Sequence, residues 1–452
     1  PIIKHLPKKE INSEALTEIL KLRFAPAPNT LFQNVEKIIP GTIIKIDLTQ
    51  KKLKYSTKKF SRDIPNTLDI SMDDALIKYE RRFENAIKRQ LMSDVEVGIL
   101  LSGGVDSALV AYYAQKHSNK KLKAFTIGFK GNSYANEIED AKITADFLNL
   151  DHHFEEIDFQ GFLEIIKKAV CIVEEPLGTT SIIPMLYLSE LAKKHVKVVL
   201  TGQGADEPLA GYKRYKLELL RDRTPLFSHK LISKMFANST NETLRRGART
   251  IKYKEVYERL LSGYTLFNDN QIKALTGLND NVSKEHIRRT LKSLGISPSK
   301  TDLEKQLSLD LRFNLSDDLL LYTDKVTMNS SIEARVPILD LELIHFIESL
   351  PIKYKAKFTQ GKIIHKKLAE KILPKSIVHR KKKGFLSPTN EWFRTHNKEI
   401  SDILCDSEHI FSSYFNITEV KNILDEHKNG VNYEKQIFVL LNMYYWLEHF
   451  LK

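Results

Sequence analysis

Leu101-Ser102-Gly103-Gly104-Val105-Asp106-Ser107 joins an apolar run, residues 95–101, to a stretch that reads as a helix from Ser107 onward. Two adjacent glycines let the backbone turn without a Cβ clash, so successive N–H groups and the helix N-terminus converge on an anion. The helix end alone contributes only about 0.3–2 kcal/mol. A multiply charged phosphate chain needs more neutralisation, and Asp106 fits that need by holding a Mg2+ that bridges the phosphates. No lysine follows the glycines, unlike the G-x-x-x-x-G-K-[ST] loop that holds a transferable γ-phosphate. The pattern points to chemistry at an α-phosphate, with pyrophosphate leaving.

Outward from this loop, residues 95–214 alternate apolar strand runs (95–101, 122–129, 152–157 and 196–200) with helical runs. That alternation predicts an α/β fold built on a parallel twisted sheet with flanking helices. Ligands of such sheets bind beyond the carboxyl ends of the strands, where Ser102, Gly128 and Thr201 fall. From Tyr215 to the C-terminus the periodicity is mostly helical with no second sheet evident, and this half is expected to cover the site. Upstream, residues 13–22 read as a helix, and the alternation over 42–48, a polar turn at 49–51 and Leu53-Lys54-Tyr55 read as a small β-hairpin. Two strands and a helix do not make a stable domain alone. A polar linker with Pro65 spans 60–73, and a helix starts near Ser71, so the chain divides into 1–67 and 68–452.

A chain of 452 residues, 42% hydrophobic and 28% charged, is long enough to bury a core without disulfides and is neither disordered nor collagen-like. Cys171 and Cys405 are the only cysteines and lack C-x-x-C spacing, which argues against structural zinc and fits a reducing, cytoplasmic compartment. The longest apolar stretch, 437–447, is interrupted by Asn442 and falls short of the ~20 residues of a membrane span. A net charge of +13 raises nucleic acid as a partner, but the lysines are scattered and no aromatic residues interleave the one dense cluster, Arg380-Lys381-Lys382-Lys383. A solvated basic surface is the expectation, with neither nucleic acid nor membrane as partner.

After the run 196–200 comes a second glycine-spaced turn, Thr201-Gly202-Gln203-Gly204-Ala205-Asp206-Glu207. Two aspartates presented from different strand ends, Asp106 and Asp206, suit one Mg2+ touching both sides of the bond being broken. His152-His153 read as strand packing, since an imidazole pair without a third ligand rarely makes a metal site.

The Ser-Gly-Gly-x-Asp-Ser string resembles the pyrophosphate loop of the N-type ATP pyrophosphatases, whose members adenylate an oxygen and then displace AMP. The 201–207 turn followed by Gly211-Tyr212 resembles the asparagine synthetase family. So do Leu315-Ser316-Asp317-Asp318-Leu319-Leu320, Asp324-Lys325, Met328, the run Glu333-Ala334-Arg335-Val336-Pro337-Ile338-Leu339-Asp340, and Lys382-Lys383-Gly384-Phe385. The resemblance implies an adenine nucleotide α-hydrolase-like fold. It also implies that Leu101, Ile127, Thr201 and Gly202 contact ATP, Asp106 and Asp206 the metal, and Ser102, Gly103, Gly104 and Ser107 the pyrophosphate. Lys382 takes the place of a lysine that neutralises the departing pyrophosphate. Glu174 takes that of an acidic residue at the cleft edge, with Thr179, Thr180 and Ser181 nearby.

By that resemblance the reaction is ATP-dependent amide formation: aspartate attacks the α-phosphorus to give β-aspartyl-AMP, and ammonia, from glutamine in the complete protein, displaces AMP. Two departures qualify it. Gln203 stands where well-studied glutamine-dependent members carry Glu, although Gln also occurs in the family, and a neutral amide cannot deprotonate ammonium; either Glu174, Glu207 or the departing phosphate takes that proton, or this branch treats a different nucleophile. The chain begins Pro-Ile-Ile-Lys rather than with a catalytic cysteine, and residues 1–59, including Arg23-Phe24-Ala25-Pro26-Ala27-Pro28 and Ile39-Pro40-Gly41, resemble only the tail of a class II glutaminase domain. The chain is therefore expected to be a fragment that uses free ammonia. Three alternatives stay open: a relative amidating or cyclising another carboxylate (capsule sugar, β-lactam or lasso peptide), a tRNA-modifying pyrophosphatase, and a nucleotide-binding module without activity. A homodimer is among the assemblies open to it.

Overall fold

Helix α1 (Ser13–Leu22) starts at Asn12, whose side chain accepts from the Glu14 and Ala15 N–H groups, and ends on Arg23 in the left-handed region. These features belong to a computed structural model that describes residues 2–49, 54–60, 63–131, 136–221, 226–236, 242–381 and 387–452. Strands β1 (Thr42–Asp47) and β2 (Lys54–Lys59) pair antiparallel as the expected hairpin, whose tip lies outside the described residues. Ser71 then caps α2 (Met72–Leu91), accepting from Asp74 N–H.

The nucleotide-type half follows as β3 (Val97–Leu100), α3 (Val105–Lys116), β4 (Lys123–Phe129), α4 (Ile138–Phe147), β5 (Asp151–Ile157), α5 (Phe159–Val173), α6 (Ile182–Lys193) and β6 (Val198–Thr201). A fifth strand, β7 (Glu333–Arg335), comes from the helical half and completes a parallel sheet in the order β5-β4-β3-β6-β7. The sequence showed no strand there because three residues cannot display a period of two. The chain steps from β3 outward to β4 and β5, then crosses back to lay β6 on the other side of β3. The strand order reverses between β3 and β6, and a ligand crevice opens at such a switch point. Leu100 is in register with Thr201 across that seam, so the two glycine turns leave the sheet side by side.

Residues 15–32 are built into the same apolar core as the C-terminal helix Glu434–Phe450. Phe32 lies 4.7 Å from the Trp446 ring and 5.5 Å from Phe450, and Phe24 meets Phe313 edge-on at 5.2 Å. Polar ties reinforce the contact. Glu175 accepts from Ala25 N–H and from Lys37 Nζ, and Asp317 accepts from Ala27 N–H. No helix among the described residues is long and apolar enough to cross a membrane.

Asp318 is 2% exposed, and its Oδ1 has no hydrogen-bond partner. Burial pushes its carboxyl up to about 7 and that of Asp317 up to about 6, against an unfolded value of about 3.9. Between those values the native state binds the extra protons. The stability these groups contribute is complete below about pH 4 and is lost as the pH rises through 6–7. Asp318→Asn is therefore expected to stabilise the protein by at least about 1 kcal/mol at pH 8 and by much less at pH 5, measured by urea unfolding at both pH values.

Candidate active site

The loop after β3 is held by its own serines. Ser107 Oγ accepts from Ser102 N–H at 3.1 Å and meets Ser102 Oγ at 2.9 Å, while Ser102 Oγ accepts from Gly104 N–H at 3.2 Å. Gly104 is the N-cap of α3 and offers no side-chain cap, so the first N–H groups of the helix have no intrahelical partner and remain for a ligand. Gly202, on the neighbouring turn, lies so close to this helix start that a Cβ would sit 2.6 Å from Ser107 N.

These turns floor a cleft of about 590 Å³, within the range for small-molecule sites. Its lining brings together Leu101, Ser102, Gly103, Gly104, Asp106, Ser107, Ile127, Thr201, Gly202, Gln203 and Asp206 of the residues singled out in the sequence. Leu101, Ile127, Met185 and Leu188 make one wall apolar, suited to a base ring. Gly128 does not line the cleft; Ile138 and Asn136 crowd its Cα, and Thr126 and Ile127 reach the cleft instead. The described residues also enclose a cavity of about 10 Å³ beside Pro208, which holds no more than a water.

Asp106 and Asp206 converge on one cation that the sequence did not single out. Lys362 Nζ is 2.6 Å from Asp106 Oδ2 and 2.7 Å from Asp206 Oδ1. Burial opposes its charge, but the two carboxylates outweigh burial and hold its pKa above that of an ordinary lysine. Lys362 has φ 57°, in the left-handed region, and caps the helix Ile363–Glu370 while its N–H donates to Leu209 O. That strained residue turns the side chain back under the 201–207 turn. Behind Asp106, His365 Nε2 lies 3.3 Å from Oδ1, and its Nδ1 meets Tyr79 Oη at 2.7 Å. Glu207, beside Asp206, is buried and pushed up to about 7 by burial and by the Asp206 charge, with Tyr212 Oη donating to it at 2.6 Å.

Asp106 and Asp206 are the residues that could hold a divalent cation. Among the described residues no cluster of three or more His, Cys, Asp or Glu forms a complete metal cage. Two carboxylates without a cage suit Mg2+ that takes its other ligands from phosphates and water.

Of the residues expected to do chemistry, Gln203 lines the cleft, with Oε1 accepting from Thr323 Oγ1 at 3.0 Å and Nε2 donating to Leu319 O. Glu174 is not in the lining. It ends α5 at φ 63°, pairs with Lys325 at 2.7 Å, and its carbonyl accepts from the Trp446 indole. Lys382 lies outside the described residues, although Arg380 and Lys381 just before it line the cleft.

A model of the asparagine synthase family matches residues 78–448. The chain belongs to the asparagine synthase family. It is thus an ATP-dependent carbon–nitrogen ligase. The glutamine-hydrolysing asparagine synthetase 1 of Bacillus subtilis is 29% identical over 454 residues, covering 97% of this chain and 69% of that protein. The glutamine-hydrolysing asparagine synthetase of Zea mays is 30% identical over 252 residues, covering 52% of this chain and 38% of that protein. Amidase chyE of Penicillium rubens is 24% identical over 419 residues, covering 80% and 60%.

Proposed function

We propose that this chain makes asparagine: it activates the β-carboxylate of aspartate as β-aspartyl-AMP, releases pyrophosphate, and lets ammonia displace AMP. The observation that carries this reading is the convergence of Asp106, Asp206 and Lys362 beneath the Ser102–Ser107 loop. The loop N–H groups are bonded within the protein, so the free N–H groups of the first turn of α3 take the β- and γ-phosphate oxygens. Lys362 offsets the charge of Asp106 and Asp206, so that the two carboxylates repel the phosphates less. Mg2+ held by Asp106 and Asp206 would add Lewis-acid polarisation of the phosphoryl oxygens. Lys382 is proposed as a second cation toward the same group.

Gln203 orients rather than deprotonates, because both ends of its amide are engaged and neither takes a proton. Glu174 is tied to Lys325 and is not among the cleft-lining residues, so the departing AMP phosphate is assigned the proton of the attacking nitrogen. Residues 1–67 are assigned to the tail of a glutaminase unit and 68–452 to the synthetase unit, with glutamine as the nitrogen source of the complete protein.

The test is pyrophosphate release from ATP with Mg2+ and ammonium over a panel of carboxylates. Release that depends on aspartate supports the assignment. Release that depends on another acid supports the second reading, amidation of a different carboxylate, and the similarity to Amidase chyE shows that matching proteins carry names other than asparagine synthetase. Orthophosphate and ADP in place of pyrophosphate and AMP reject both.

A further inference from the structure

At the edge of the cleft, Arg380, Glu137 and Asp140 form a clamp on the loop that the chemistry above does not use. Arg380 Nη1 donates to Gly103 O at 2.9 Å and to Asp140 O at 2.7 Å, and its Nε lies 3.2 Å from Asp140 Oδ1. One donor nitrogen thereby bridges the carbonyl of the loop to the first turn of α4. On the other side of the same glycine, Gly103 N–H donates to the buried Glu137 Oε2 at 3.2 Å. Asp140 packs against Gly103 so closely that a Cβ would sit 2.7 Å from Asp140 Cβ. Gly103 is thus held through its carbonyl, its N–H and its Cα by three groups of two separate segments.

We propose that Arg380 is a positioning residue that sets the phosphate loop in its anion-binding shape. The inference rests on the reading of the cleft as a nucleotide site. Fixing the carbonyl of Gly103 fixes the plane of the next peptide, and with it the direction of the N–H groups that follow into α3. A glycine pair left to itself samples many such planes, and ordering it at the moment of binding would be subtracted from affinity. The guanidinium suits the task because its rigid fork serves several acceptors at once, which a lysine ammonium on a flexible stem does not reproduce. The role of Arg380 is exerted through the loop and not by contact with the reacting atoms.

The test is calorimetric titration of wild type, R380A and R380K with inorganic pyrophosphate and with AMP in the presence of Mg2+, alongside KM for ATP and for the acceptor. R380A is expected to weaken pyrophosphate by about 10- to 100-fold, the equivalent of one charge-assisted hydrogen bond, and AMP by less than about 3-fold. R380K is expected to fall between, and KM for ATP to rise with KM for the acceptor unchanged. Pyrophosphate affinity within about 2-fold of wild type in R380A overturns the proposal, as does an equal loss for AMP, which would mean general collapse of the cleft. Should R380A not fold, wild-type pyrophosphate affinity in R380K overturns it. Wild type that binds both ligands but releases no pyrophosphate with any carboxylate rejects the proposed function and leaves the clamp standing. Wild type that binds neither rejects both.

Discussion

Asp106→Asn is expected to lower pyrophosphate release from ATP by about 10³-fold or more and, because it leaves buried Lys362 with one carboxylate, to lower the unfolding temperature while the protein still folds. The substitution keeps the size of the side chain and its place in the first turn of α3. What it removes is a negative charge that Lys362 faces at 2.6 Å and that the proposed Mg2+ needs as a ligand. With one carboxylate left, Asp206, the cation would hold its substrate from one side only. Steady-state assays across Mg2+ concentrations check this: the loss should persist at high Mg2+ if geometry as well as affinity is damaged. Turnover within 10-fold of wild type would remove Asp106 from the metal assignment.

Gly202→Ala is expected to cost about 1–3 kcal/mol of stability and about 10²-fold in activity. The added methyl would meet Ser107 N at 2.6 Å and the Asp106 carbonyl carbon at 2.8 Å. Both are backbone atoms, so no side chain can swing aside, and the start of α3 must move away from β6. That movement spoils the registration of the two turns on which the site depends. Chemical unfolding and pyrophosphate release measured on the same preparation check it, with a change in both expected. Wild-type activity in the Gly202→Ala protein would mean that the seam between β3 and β6 is slack.

The sequence exposed the central seam because its signals are local. Alternating apolar runs, a glycine pair with serines on both sides and a second turn with two carboxylates each occupy fewer than ten residues. The structure places both turns at neighbouring strand ends. Ser71 and Asn12 act as helix caps where their residue types suggest it. Lys362 was illegible for the opposite reason. It stands 256 residues from Asp106, and in the sequence it is one lysine of many beside a glycine. Only the left-handed backbone at Lys362 and the close packing of Gly361 on Ala210 O bring it under the aspartates. The surroundings of Glu174 were illegible in the same way: its long-range partners, Lys325 at the carboxylate and the Trp446 indole at the backbone carbonyl, are invisible in its sequence neighbours. β7 was too short to show a period, and Arg380 sat unremarked in a basic run whose members look alike until one of them reaches a carbonyl.

The account stands on attack by a carboxylate oxygen at the α-phosphorus. Turnover of ATP with Mg2+, ammonium and aspartate labelled with 18O in its β-carboxylate, followed by mass spectrometry of the nucleotide product, tests that step directly. The expected result is AMP carrying one 18O in its phosphate, together with unlabelled pyrophosphate. Unlabelled AMP, or ADP with orthophosphate, would contradict it.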